Sequence, residues 1–160
     1  MPLIIKPEAD SAQVRFPPPF VYVGFLLIGL VIDRVFALNP AIPGDLRLWL
    51  GGAAIAAGLA TMLAGLLAFR KAGNNVEPWR AASGIVATGV YRYTRNPMYL
   101  GLALGMFGLA VAANSLGGLI TLPLSIIVIR TQVIAREEAY LAAKFGESYR
   151  DYCRHVRRWI

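Results

Sequence analysis

Residues Leu48–Phe69 read LWLGGAAIAAGLATMLAGLLAF, 22 consecutive positions without one charged side chain. At 1.5 Å of rise per helical residue such a run reaches about 33 Å, enough to cross a hydrocarbon core of about 30 Å. Arg70 and Lys71 end it where a membrane helix meets the headgroups. Ala54, Gly58, Met62 and Gly65 form a partly small-residue stripe, for which close approach of a neighbouring helix is the default reading. This segment is read as a membrane span, and the fold class follows from it: an all-α polytopic membrane protein.

The flanking sequence repeats the pattern. Of 160 residues, 57% are hydrophobic and only 16% charged, and mean hydropathy is +0.55, far from the balance of a small soluble domain. A span is expected at 20–38, where Asp33 and Arg34 adjoin the loop Asn39–Gly44 and are read as headgroup-level or paired charges. A second uncharged block, Met98–Ile129, has 32 residues, too many for one ordinary span, and is divided by Asn114-Ser115 and Gly117-Gly118. It reads as a tight helical hairpin with arms 98–113 and 116–129. Gly101, Gly105 and Gly108 lie along the first arm and are read as packing residues, because a dinucleotide-binding fingerprint needs its glycines in a strand-to-helix turn.

Residues 1–19 carry Pro2, Pro7 and Pro17–Pro19, which preclude a continuous helix and suggest an interfacial segment or one folded over the interface. The first apolar block lacks a small-residue cleavage pattern behind it, so it is read as a retained helix and not a secretory signal. Residues 130–160 form a charged tail, helical over 132–152 with a break near Gly146 and with Leu141, Phe145, Tyr149 and Tyr152 on one face. The whole of 1–160 is read as a single domain of about four spans.

Four spans put both termini and the 70–97 connector on one side. That side holds fourteen of the sixteen Lys and Arg residues, the other only Arg34 and Arg47, so connector and amphipathic tail are expected in the cytoplasm. The net charge of +7 is then explained by orientation and by anionic lipid headgroups, with no need for nucleic acid. Lone Cys153 cannot form an intrachain disulfide or a cysteine-based zinc site, and no metal is expected.

Polar groups capable of chemistry concentrate on the basic side. Residues Gly84–Gly101, GIVATGVYRYTRNPMYLG, place three tyrosines and two arginines at the mouth of the third span. Backbone amides and aromatic faces there suit an adenosine-like or anionic ligand, and equally suit an interfacial aromatic and basic belt. Where the last span emerges stand Arg130, Arg136, Glu137 and Glu138. Paired carboxylates near anionic lipid call for a cationic partner, or else belong to a solvated face with local pairs to Arg136.

The run Arg95–Gly101, RNPMYLG, preceded by Thr88–Tyr91 and followed after a hairpin by Glu137-Glu138 and Phe145–Tyr152, FGESYRDY, resembles the isoprenylcysteine carboxyl methyltransferase and phospholipid methyltransferase superfamily of integral membrane methyltransferases. The resemblance covers roughly residues 46–160. It implies an enzyme using S-adenosyl-L-methionine, with Tyr91, Asn96, Pro97, Met98, Tyr99 and Glu137 at the cofactor and the segment Ser83, Gly84, Ile85, Val86 lining the same site. It also implies a substrate-contacting arginine before the glutamates, either Arg130 or Arg136. Prenylcysteine enzymes have histidine where this chain has Asn96, a departure shared with phospholipid-type relatives that weakens the prenylcysteine acceptor alone. Arg95 and Glu138 complete the cofactor set on physical grounds, since the ligand carries a carboxylate at one end and cationic groups beside it.

Methyl transfer from a sulfonium is an in-line displacement that requires positioning and a water-poor pocket, with no metal or covalent nucleophile. Isolated His155 has no partner to fix its tautomer and is a weak candidate base. The expectation is an enzyme taking S-adenosylmethionine from the cytoplasm and a lipophilic acceptor from the bilayer. A prenylated carboxylate, a phospholipid amine and another small hydrophobic molecule all remain open as acceptor. The competing readings are a non-enzymatic membrane scaffold or anchor and, less compatible with so short a chain, a sterol reductase.

Overall fold

A computed structural model describes residues 6–74 and 77–160; Pro2 and connector residues 75–76 lie outside them. The described residues are helical or irregular, without strands. Helices α1 (Pro18–Phe36), α2 (Gly44–Lys71), α3 (Pro97–Ala112) and α4 (Leu116–Ile129) form a bundle, and α5 (Ala135–Phe145) and α6 (Glu147–His155) follow. Three helical segments are long and apolar enough to cross a membrane: α1, α2 and the continuous stretch Leu116–Phe145. Their outward faces are apolar, with Val35 68% and Trp49 80% exposed, as lipid contact requires. With 16 residues, α3 is shorter, and it is the helix the others surround.

The ends obey local rules. Pro18 and Pro97 stand in the first turns of α1 and α3, where a missing N–H costs nothing. Ser115 caps α4 by accepting from Gly118 N at 2.8 Å. Asp33 reinforces that cap from α1, accepting from Gly117 N at 2.6 Å and from the Ser115 hydroxyl. The carboxylate thus neutralises a helix N-terminus, the structural role expected for it.

Glycines set the helix crossings, though not quite the expected ones. On α2 the buried positions are Gly51, Gly58 and Gly65, two turns apart, in place of a stripe through Ala54 and Met62. A Cβ on Gly58 would sit 2.6 Å from the Gly101 carbonyl oxygen, and one on Gly51 would sit 2.7 Å from that of Gly108. Gly105, expected to share this face, has open space instead. Gly117 and Gly118 lie inside α4, not in the turn, and a Cβ on Gly29 would come within 2.4 Å of Gly118 N. So α2 rides on α3 and α1 on α4, backbone against backbone.

The tail begins inside a helix. α4 runs into a π turn at Arg130–Ile134, closed by Ala135 N donating to the Arg130 carbonyl, and continues without interruption as α5. One extra residue turns the following face by about 100°, which rotates Glu137 and Glu138 towards α3. The helix breaks at Gly146, whose φ of 56° favours glycine. Residues 6–17, expected at the interface, carry core residues: Ala12 and Val14 are buried with Tyr99, Met106 and Ile134.

Candidate functional site

The N-terminal segment, the connector and α5 are laced together at one end of the bundle. Asn74, buried just beyond α2, accepts from Ser83 N at 2.8 Å and Gly84 N at 3.0 Å and donates to the Gly84 carbonyl at 3.1 Å, folding the connector back on the helix. The Glu8 carboxylate accepts from Ala81 N at 2.9 Å. From α5, the Tyr140 hydroxyl accepts from Ala82 N at 3.1 Å and donates to the Asp10 carbonyl at 3.2 Å, while Lys144 pairs with Asp10 at 2.6 Å.

These elements line an open cavity of about 880 Å³, its mouth included. Its wall brings together ten of the twelve candidate cofactor residues: Gly84, Ile85, Val86, Tyr91, Arg95, Asn96, Met98, Tyr99, Glu137 and Glu138. Ser83 and Pro97 do not line it. Ser83 is held back by Asn74 and by its own hydroxyl on the Gly73 carbonyl at 3.3 Å, and Pro97 is fully buried under the α2 crossing. Arg130 and Arg136 are exposed and off the wall, Arg136 donating to the Gln13 carbonyl at 3.4 Å. His155 is likewise exposed, against the Asp151 carbonyl of its own helix.

The two glutamates have separate environments. Glu137 accepts from the Tyr99 hydroxyl at 2.6 Å, and the Tyr99 carbonyl in turn accepts from Tyr22 of α1 at 3.2 Å. Glu138 takes no local pair with Arg136. It receives the Arg158 guanidinium in a fork at 3.0 and 2.6 Å and Arg95 at 3.3 Å. Arg95 also donates to the Cys153 sulfur.

Tyrosines form much of the remaining wall. Tyr91 sits on a 3₁₀ turn, Gly89–Arg92, with its ring 5.1 Å from that of Phe69 and its carbonyl accepting from the Tyr152 hydroxyl at 2.7 Å. Burial raises the phenols of Tyr91 and Tyr149 and pushes that of Tyr152 up to about 12, so all three stay neutral donors. Two buried donor atoms at the wall, the Tyr91 hydroxyl and Arg95 Nε, have no hydrogen-bond partner among the described residues. The Tyr91 hydroxyl lies on the α2 side of its ring, 3.5 Å from where a Cβ on Gly65 would stand.

Phe69, Tyr140 and Ala12 also line the cavity and are not among the residues expected there. In the sequence, Leu141, Tyr149 and Tyr152 stand out only as an aromatic face of the tail, and that face, set among charges, is the available signal. For Ala12 there is none.

A second opening lies one α3 turn away. Tyr22, Leu26, Ile55, Leu59, Met62, Leu102 and Met106 are among the walls of an almost wholly apolar crevice of about 640 Å³, open to the outside, between α1 and α2 and floored by α3. Tyr22 joins the two spaces, lining the crevice while its hydroxyl holds Tyr99 at the cavity.

Fold and site together define a membrane protein with an aromatic cavity, charged side chains in its wall, at one end of its helix bundle and an apolar crevice beside it. The model of the phospholipid methyltransferase family matches residues 46–148, well over half of the chain, and the protein belongs to that family of membrane methyltransferases. An uncharacterized protein of Haemophilus influenzae is 45% identical over 64 residues, 39% of this chain and the whole of that protein. The protein-S-isoprenylcysteine O-methyltransferase of Schizosaccharomyces pombe is 32% identical over 72 residues, 45% of this chain and 30% of the yeast enzyme. This chain therefore matches less than a third of the length of that characterised relative. No solved structure matches it.

Proposed function

We propose that the protein is an S-adenosylmethionine-dependent methyltransferase acting on a lipophilic acceptor drawn from the bilayer. One observation carries the reading: connector, α3 mouth and α5 carboxylates, far apart in sequence, line one cavity a single helical turn from an apolar crevice. When bound, S-adenosylmethionine supplies an electrophilic methyl group on a sulfonium.

The residues present fit such a ligand. Glu137, oriented by Tyr99, offers a carboxylate to the ammonium or to hydroxyls. Arg95 offers a charge to the carboxylate, and Phe69, Tyr91 and Tyr149 offer faces to the adenine and the sulfonium. Met98 and Leu141 add apolar surface to the wall. The crevice takes the acceptor's hydrocarbon, Tyr22 and Gly105 leaving room beside α3, and so directs the acceptor's polar end towards Tyr99. An amine acceptor must lose a proton before attack, and Glu137 is the carboxylate best placed to take it; a carboxylate acceptor needs none.

The cytoplasm is the proposed side of the cavity, with anionic headgroups meeting Arg92 and Arg157, both exposed there. Calorimetry of the purified protein with S-adenosylhomocysteine is expected to show saturable binding, followed by transfer of labelled methyl into a total lipid extract. No binding at millimolar ligand would leave a scaffold as the surviving function.

A further inference from the structure

Beyond α6 the last residues do not leave the bundle. The Arg157 carbonyl accepts from Arg95 N at 2.9 Å, and the Arg158 carbonyl accepts from the Asn96 side-chain amide at 3.0 Å and the Thr94 hydroxyl at 3.2 Å. Trp159 rests against the core cluster that contains Tyr99 and Ile134. Yet none of residues 156–160 lines the cavity. Whatever this segment does to a ligand, it does through Arg95, Asn96 and Glu138, which do line it.

Glu138 is the hinge of that arrangement. Its carboxylate, with the side chain 18% exposed, faces two guanidinium groups, and Arg158 takes both oxygens while Arg95 reaches only one, at 3.3 Å. A planar guanidinium matches a carboxylate best in the two-point fork. Were Arg158 removed, Arg95, already on one Glu138 oxygen and on the Cys153 sulfur, would be free to take the fork itself and so shift its place on the cavity wall. Asn96, whose amide is held by the Arg158 carbonyl, would lose its fixed orientation if the segment lifted away.

We propose that Arg158 is a positioning residue for methyl transfer: by forking onto Glu138 and pinning Asn96, it holds Arg95 to a single contact with that carboxylate and keeps both residues in place on the wall of the cofactor cavity. This rests on the S-adenosylmethionine site proposed above. It predicts a selective effect on cofactor affinity, because Arg158 touches neither the ligand nor the acceptor's path.

The test uses the full chain in lipid nanodiscs, with S-adenosylhomocysteine affinity measured by calorimetry and steady-state kinetics measured against S-adenosylmethionine. Arg158→Ala is expected to raise Kd and cofactor KM about ten-fold, the loss of one charge-assisted contact, with kcat within about two-fold. Arg158→Lys keeps the charge but not the fork and should weaken binding by roughly three-fold. Trp159→Ala removes packing from the same segment and should lower the unfolding temperature with KM unchanged. Unaltered affinity in Arg158→Ala overturns the proposal, as does a fall in kcat and stability at constant KM, which would mark Arg158 as merely structural. If Arg158→Ala does not fold, wild-type affinity in Arg158→Lys overturns it. Failure of the unaltered protein to bind S-adenosylhomocysteine removes the cofactor site itself, and the positioning role with it.

Discussion

The hydroxyl of Tyr91 is buried at the cavity wall without a hydrogen-bond partner among the described residues, and burial holds it in the protonated form. A buried donor left unpaired costs the protein about 1–3 kcal/mol, so a residue kept for stability alone would be better as phenylalanine. Tyr91→Phe is therefore expected to leave the unfolding temperature of the ligand-free protein unchanged or slightly raised. The same change should leave S-adenosylhomocysteine affinity within about two-fold, because the hydroxyl is buried beside Gly65 of α2. Unchanged affinity with equal or higher stability is the signature to look for; a loss of affinity of about ten-fold would put the hydroxyl on the ligand. Glu137 should behave differently, because its carboxylate already holds Tyr99 at 2.6 Å. Glu137→Ala removes a charge from the ligand and orphans the Tyr99 hydroxyl together. Affinity should fall by roughly 10- to 100-fold with a drop in unfolding temperature, while membrane insertion is retained. Full affinity in that variant would put the cofactor elsewhere.

Helix contacts show why spacing in the sequence is a partial guide to packing. The expected stripe through Ala54, Gly58, Met62 and Gly65 follows one face turn by turn, whereas α2 meets α3 closely at Gly51, Gly58 and Gly65, seven residues apart. Seven residues are close to two turns, and helices crossing at a shallow angle touch backbone to backbone only at that interval. The crossing angle belongs to the pair of helices, so neither sequence alone discloses it. The distinction is testable on α3. A Cβ on Gly101 would lie 2.6 Å from the Gly58 carbonyl oxygen, while one on Gly105 meets nothing within 4 Å. Gly101→Ala is expected to force α2 away and cost about 1–3 kcal/mol, read as a lower unfolding temperature in detergent. Gly105→Ala, the same change one turn along, should be neutral or slightly stabilising through helix propensity. Equal effects would mean that the two helices are not in backbone contact.

Across the whole molecule, the membrane character was legible because an uncharged run of 20 residues or more fits little besides a membrane crossing; the number of spans was not, since three helical segments are long and apolar enough to cross and α3 is shorter. The cavity was legible in Tyr91–Tyr99 and Glu137-Glu138 because their residue types are unusual beside a membrane. The N-terminal segment was not, since Ala12 and Val14 become core only through contacts made by tertiary folding. Nor was the partner of Glu138, because a charge 20 residues away on a separate segment leaves no local pattern. What charge does record is orientation. Fourteen of sixteen Lys and Arg residues belong to the end where residues 8–13 bond to the connector and α5, and Arg34 and Arg47 flank the other end. With α3 counted as a crossing, about 24 Å long at about 1.5 Å per residue, the basic end is expected to face the cytoplasm. Cysteines placed in a Cys153→Ser background read this directly. In intact cells a membrane-impermeant maleimide should label Gly44→Cys, at the exposed start of α2, and spare Arg15→Cys and Ser148→Cys until the membrane is permeabilised. Labelling of Ser148→Cys from outside would invert the protein and with it the side from which the methyl donor must arrive. Labelling of Arg15→Cys and Ser148→Cys from opposite sides would contradict the fold itself, because the Arg136 side chain and the Gln13 carbonyl share one hydrogen bond.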